Sequence, residues 1–239
     1  MKSILHFLGG IVLLVSPLGA IPARAADGYW LDQYSALLYI STFNLDSQLA
    51  EMRRRGAKTV MVHADSLPTF ILRFISWRAK DAADLQSVAW IQRPNYSNLA
   101  RAGSLYGYAA IQIDDHFFNK PPVKISKLRE LIGSKKLWCS FQPKQYSYNN
   151  AAECDHADIQ IYRQSCRRTG DIALSLGAAG RADTAIAVYH DGSKSADEEL
   201  KCMESDMASL GNKIFVFKWN NPEAYLKHVF KGVKSFARP

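Results

Sequence analysis

Asp114, Asp115 and His116 stand in a row after Ile111-Gln112-Ile113 and before Phe117-Phe118. A strand that ends abruptly in ionisable side chains sets them at the rim of a sheet, within reach of a substrate. Carboxyl groups so placed can move protons or face a developing positive charge, and the imidazole beside them can hydrogen-bond. Similar endings recur along the chain. His63 and Asp65, Gln92 and Arg93, Gln142, Tyr162, Tyr189 with His190 and Asp191, and Trp219 each close an apolar run.

Eight such runs are expected to be strands: 37–41, 59–64, 88–92, 109–114, 137–142, 158–162, 185–189 and 214–219. Helical segments separate them. Leu45, Leu49 and Met52 share a face that stops at Gly56, and Leu128, Leu131 and Ile132 do the same before Gly133. Ser195 with Glu198 forms a capping box, and Asn221-Pro222 starts a last helix. Residues 170–181, rich in Gly and Ala, predict a sixth helix that is short or irregular. Eight βα repeats are the number that closes a (β/α)8 TIM barrel, and the fold class is therefore α/β with a single such domain.

Alternation along a strand then sorts the side chains. Gln112 and Asp114 face the barrel interior, as do Tyr39 and Ser41, Met61, His63 and Asp65, Trp90 and Gln92, Ser140 and Gln142, Gln160 and Tyr162, and Tyr189. The result is a polar interior, in which the glutamines either satisfy one another or, nearer the rim, bind hydroxyls. Aromatic faces, amides and carboxylates around one mouth suit a carbohydrate. Bland roles compete at each position: Asp114, Asp115 and Asp191 can each cap a turn, and Trp219 can pack in the core.

The string 110–118 resembles the D-G-I-H-x-D-D-Y-F-Y signature on the fourth strand of glycoside-hydrolase-like barrels related to family 10 enzymes. It is also spaced like the fourth-strand acidic motif of chitinase-type barrels. Ala109 and Ala110 replace the Asp and Gly of the first signature, and His116 replaces its Tyr and the terminal Glu of the second. The resemblance implies a secreted (β/α)8 enzyme or binding protein acting on polysaccharide or cell-envelope glycan. Asp114 is then the expected proton donor or nucleophile and Asp191, across the mouth, its partner carboxylate. Asp115 supports the loop, and His116 is a hydrogen-bonding neighbour. His63, Asp65, Gln92, Arg93, Gln142, Tyr162, Tyr189, His190 and Trp219 are the expected substrate-binding residues. Two other readings stay open, a catalytically inactive glycan-binding barrel and a metal-dependent hydrolase using His63, Asp65, His190 and Asp191.

Composition sets the outer bounds. Lys2, a short apolar core and Ala23-Arg24-Ala25 read as a signal peptide over residues 1–25, leaving residues 26–239 as an exported barrel domain, periplasmic or extracellular. No later stretch reaches the length a membrane helix needs, so stable membrane insertion is not expected. The formal charge of +8 is scattered, and its densest run, Arg53-Arg54-Arg55, reads as a helix end and not as a nucleic-acid surface. The four cysteines have no metal-ligand spacing, and neither metal nor cofactor is expected. A Cys154–Cys166 disulfide with Cys139 as a buried free thiol is the expected arrangement, and the chain is compatible with a monomer.

Overall fold

Asp32 decides where the first strand stops. Its carboxylate accepts hydrogen bonds from the backbone N–H groups of Tyr34 and Ser35 at 2.8 and 2.9 Å, and so caps a helix at its start. In the computed structural model, which describes residues 27–119, 124–162, 164–181, 183–189, 202 and 211–217, β1 is therefore Gly28–Leu31 and the following helix α1 is Gln33–Ser41. The run 37–41, expected as the first strand, is helical. Helix α1 buries Ala36 and Tyr39, three residues apart, a helical spacing. Tyr39 and Ser41 thus lie in the helix layer, and the residue that enters the barrel here is Trp30.

The remaining elements follow the expected alternation. They are α2 (Leu45–Arg54), β2 (Thr59–His63), α3 (Thr69–Ala83), β3 (Gln86–Ile91), α4 (Tyr96–Gly103), β4 (Tyr108–Ile113), α5 (Ile125–Ile132), β5 (Lys136–Phe141), α6 (Tyr148–Ala152), β6 (His156–Gln160), α7 (Cys166–Ser175), β7 (Thr184–Tyr189) and β8 (Lys213–Phe217). All neighbours pair in parallel, and β1 pairs with both β2 and β8, so the sheet closes. The chain is a single (β/α)8 TIM barrel. The helix after β6, α7, is a regular ten-residue element that ends at Ser175, because Thr169, Gly170 and Ala173 are small enough to bury against the sheet; the rest of 170–181 is turn and loop. The segments carrying Ser195 and Asn221 lie outside the described residues, as do residues 1–25. None of the described helices is long and apolar enough to cross a membrane.

The two faces of the barrel strands are filled differently. Outward residues such as Val60, Val62, Ile111, Ile113, Leu137 and Ile159 pack under the helices. Inward, Trp30, Trp90, Trp138 and Phe215 share the space with Ala110, Ala185 and Ala187. Small residues opposite large ones let three indoles fit a tapered interior. Trp138 stacks on Phe215 with centroids 5.8 Å apart, and Trp30 meets the same ring edge-on. The interior is therefore aromatic, with the His156 imidazole between Trp138 and Phe215 and the acids and amides higher on the strands.

The disulfides also differ from expectation. Cys139 is bonded to Cys154, and Cys166 to Cys202. Cys154 precedes β6 and Cys166 follows it, so the strand, about 13 Å long over its five residues, holds them at opposite ends of the barrel. That distance excludes a bridge. Cys139, on the outward face of β5, instead reaches the turn that enters β6.

Candidate active site

Gly107 makes the approach to the site possible. It holds φ +87, and a Cβ there would lie 2.5 Å from Ser76 Oγ, so glycine alone fits the turn that feeds β4. β4 then delivers Gln112 inward and ends at Ile113. Asp114 starts a single 3-10 turn, Asp115–Phe118, and accepts the Asp115 N–H at 2.9 Å. Strand parity lapses at that point. Asp115 therefore does not turn to the far side of the sheet; the donor atoms of Asp114, Asp115 and His116 all lie within 4.8 Å of one another.

Around these acids the amides of neighbouring strands converge. Gln160 donates to Asp114 Oδ1 at 2.5 Å and to Ser140 Oγ at 2.8 Å. Ser140 Oγ bonds Asp158 Oδ2, while Asp158 Oδ1 accepts from Gln112 Nε2 at 2.5 Å. Gln112 in turn accepts from the Trp30 indole N–H at 2.8 Å. One chain of hydrogen bonds thus links β1, β4, β5 and β6. Gln142 bonds Asp115 Oδ2, and the His116 imidazole lies 3.1 Å from Asp115 Oδ1. Gln145 donates to the Asp115 carbonyl at 3.1 Å and fixes the turn from above.

Burial sets the electrostatics. Asp114 is 5 % exposed, and burial, reinforced by the charge of Asp115, pushes its carboxyl up to about 7. Asp158 is fully enclosed and is pushed up to about 8, again chiefly by burial, against the bond from Ser140 and with help from the charge of Asp114. Tyr162, stacked on Phe217 at 5.6 Å, is raised well above the usual phenol range by burial. A carboxyl with a pKa near 7 retains its proton at neutral pH long enough to act as an acid.

A cleft of about 440 Å³ opens beside this network, lined by Gln142, Lys144, Gln160, Tyr162 and Gln164 among others. Of the expected binding residues, Gln142 and Tyr162 line it, with Asp114 and Asp115 directly behind them through Gln160 and Gln142. His63 and Asp65 form a separate corner. His63 stacks on Trp90 at 4.7 Å, and its Nε2 is buried 3.4 Å from Asp65 Oδ2 without a hydrogen bond. Asp65 accepts from the N–H groups of Gln92 and Arg93 at 3.0 and 3.2 Å and from Asn98 at 3.2 Å. It therefore ties down the loop after β3. Burial alone would raise its carboxyl, but His63 and those donors carry it below the ordinary value. Asp191, His190 and Trp219 lie outside the described residues, as does the Tyr189 side chain.

Two participants escaped the sequence reading. Asp158 shares the inward parity of Gln160 and Tyr162, a signal that was present. Trp30 was hidden with its strand. Among the described residues Asp114, Asp115 and His116 are also the one group of acids and imidazole close enough together to hold a divalent cation.

No family model matches this chain, and no curated protein matches it in sequence. Solved structures do. An active-site mutant of a β-1,3-glucanosyltransferase from Rhizomucor miehei, in complex with laminaritriose, is 12% identical over 74% of this chain and 80% of that chain, with a TM-score of 0.55. Dihydrodipicolinate synthase from Rhodopseudomonas palustris is 11% identical over 82% and 71%, with a TM-score of 0.50. An HpcH/HpaI aldolase from Desulfitobacterium hafniense is 10% identical over 91% and 95%, with a TM-score of 0.44. At such identities the likeness shows the barrel fold and nothing finer.

Proposed function

We propose that this chain is an exported glycan-acting barrel that cleaves a glycosidic bond with Asp114 as the proton donor. The observation that carries this reading is the Asp114 carboxyl, buried at the C-terminal mouth beside a second acid and raised to about 7. In the proposed step Asp114 gives its proton to the glycosidic oxygen as the bond to the anomeric carbon breaks. Asp191 serves as the second carboxylate, facing the developing oxocarbenium charge, and water supplies the hydroxyl that completes hydrolysis. Asp115 contributes the negative charge that keeps Asp114 protonated, and Gln142 and His116 hold Asp115 in place. Gln142 and Tyr162, which line the cleft, supply polar contacts to sugar hydroxyls, and Trp219 supplies a stacking face.

Release of reducing sugar from a panel of bacterial and plant glycans tests this. The Asp114→Asn chain is expected to lose about 10²-fold or more of the turnover, the range of a general acid. A second reading, a glycan-binding barrel without catalysis, draws support from the 5 % exposure of Asp114 and from the commitment of both Gln142 and Gln160 to carboxylates. Retained glycan binding with no turnover in the wild-type chain would select it. A third, a metal-dependent hydrolase, rests on the Asp114, Asp115 and His116 donor set. Activity lost to a chelator and restored by a divalent cation would select that one.

A further inference from the structure

Among the described residues, one helix of the outer layer carries three exposed aromatic rings. On α3, Leu72, Ile75 and Ala79 face the barrel, but Phe70, Phe74 and Trp77 point outward and are 70 %, 39 % and 58 % exposed. Phe74 and Trp77 lie with ring centroids 6.0 Å apart, and the Arg78 guanidinium sits over the indole at 4.8 Å. Phe43, at the turn between α1 and α2, is 98 % exposed and holds a left-handed φ of 55. It belongs to the same wall, because Asp46, three residues later, binds Arg78 of α3 at 2.7 and 2.5 Å. Four exposed rings gathered on one wall mark an interaction surface.

The charges on that wall say what covers it. Arg73, Trp77 and Asp81 are spaced four residues apart, which places a cation one turn above the indole and an anion one turn below it on one helix face. Such a pattern is self-complementary. When two copies of α3 run antiparallel about a twofold axis over Trp77, Arg73 of each copy meets Asp81 of the other, and Phe74 packs beside the indoles. Arg78 is already engaged by Asp46 and Asp81, and Lys80 by Asp84, whereas Arg73 makes no ion pair among the described residues. Asp81 is half exposed and can accept a second cation. An anionic lipid surface finds no net charge to hold it, since Asp46, Asp81 and Asp84 match Arg73, Arg78 and Lys80 in number and two of these cations are already paired with them. Weighted by their exposure, Phe43, Phe70, Phe74 and Trp77 offer roughly 500 Å² toward the about 800 Å² per partner that a standard interface buries.

We propose that this wall is a self-association face, joining two copies of the chain antiparallel through α3 with Trp77 at the axis. Sedimentation equilibrium of the purified chain beginning at Ala26, with the full 239-residue chain beside it, reads the stoichiometry. A concentration-dependent dimer is expected in both. Arg73→Glu should weaken it about tenfold or more by setting like charges together, and the double variant Arg73→Glu with Asp81→Arg should restore it. Phe74→Ser with Trp77→Ser should leave a monomer whose circular dichroism is unchanged. A monomer at every concentration, or charge reversal without rescue, would overturn the proposal. So would association confined to the chain carrying residues 1–25. So, finally, would a monomer whose binding to phosphatidylglycerol vesicles or insoluble glycan is lost with Trp77→Ser.

Discussion

Gln160 touches both carboxyl groups of the network, Asp114 directly and Asp158 through Ser140, and this makes it the residue that tunes the proposed acid. Its amide N–H favours the ionised form of Asp114 and opposes the upward push of burial. Gln160→Leu removes that bond while keeping the volume. The Asp114 pKa should then rise further, by about one unit for one charge-assisted hydrogen bond. The basic limb of the activity profile should move to higher pH with it, and a pH series of glycan hydrolysis would show the shift. An unmoved limb would assign the limb to another group. Asp114 itself was legible in the sequence because it continues the parity of Ala110 and Gln112. The nearness of Asp115 was not, because alternation holds only while the strand lasts, and this strand ends one residue before the acids.

At the scale of elements, the strands that were legible are those in which β-branched runs stop at ionisable or turn residues, such as Thr59-Val60-Met61-Val62-His63. β1 was not, because Gly28-Tyr29-Trp30-Leu31 is four residues long and contains no β-branched side chain, whereas the run 37–41 does. Short apolar runs are ambiguous between strand and helix, and only the Asp32 cap resolves this one. The disulfides were illegible for a related reason. Chain order puts Cys154 and Cys166 on opposite sides of a strand, but it does not say that Cys139 on β5 reaches the turn that enters β6. The observed Cys139–Cys154 bridge ties β5 to the entry of β6 and closes a loop of 15 residues. Replacing both cysteines by alanine should lower the unfolding free energy by about 3 kcal/mol, most of it through a freer unfolded chain. Urea denaturation of the variant beside the oxidised wild type measures this. Loss of much less would mean that β5 and β6 already restrict that loop when unfolded.

Over the whole molecule, the buried titratable groups combine into a pH dependence of folding. Asp158 and Asp114 have folded values near 8 and 7 against an ordinary 3.8, so across that interval the folded chain binds protons that the unfolded chain has released. Each therefore makes stability fall as pH rises, by about 1.4 kcal/mol per unit. His156 acts in the opposite sense. Burial between Trp138 and Phe215 takes its imidazole down to about 4, so between pH 4 and 6.5 the unfolded chain binds the extra proton and stability rises with pH. One of the two carboxyl contributions is thus cancelled below 6.5, and the other remains. Below pH 4 the carboxylates held low by partners, Glu51 at about 2 and Asp65 and Asp155 also lowered, lose their stabilisation as they protonate. Stability should accordingly peak near pH 4 to 5 and decline by several kcal/mol toward pH 8. Asp158→Asn preserves an acceptor for Gln112 and removes one titration. The remaining contributions of Asp114 and His156 then oppose each other, so the variant should show a plateau from about pH 4 to 6.5 and exceed the wild type in stability at pH 8. Denaturant midpoints collected at half-unit intervals for both chains decide it. A wild-type maximum at pH 7 to 8, with the same slope in the variant, would mean that Asp158 is ionised inside the barrel.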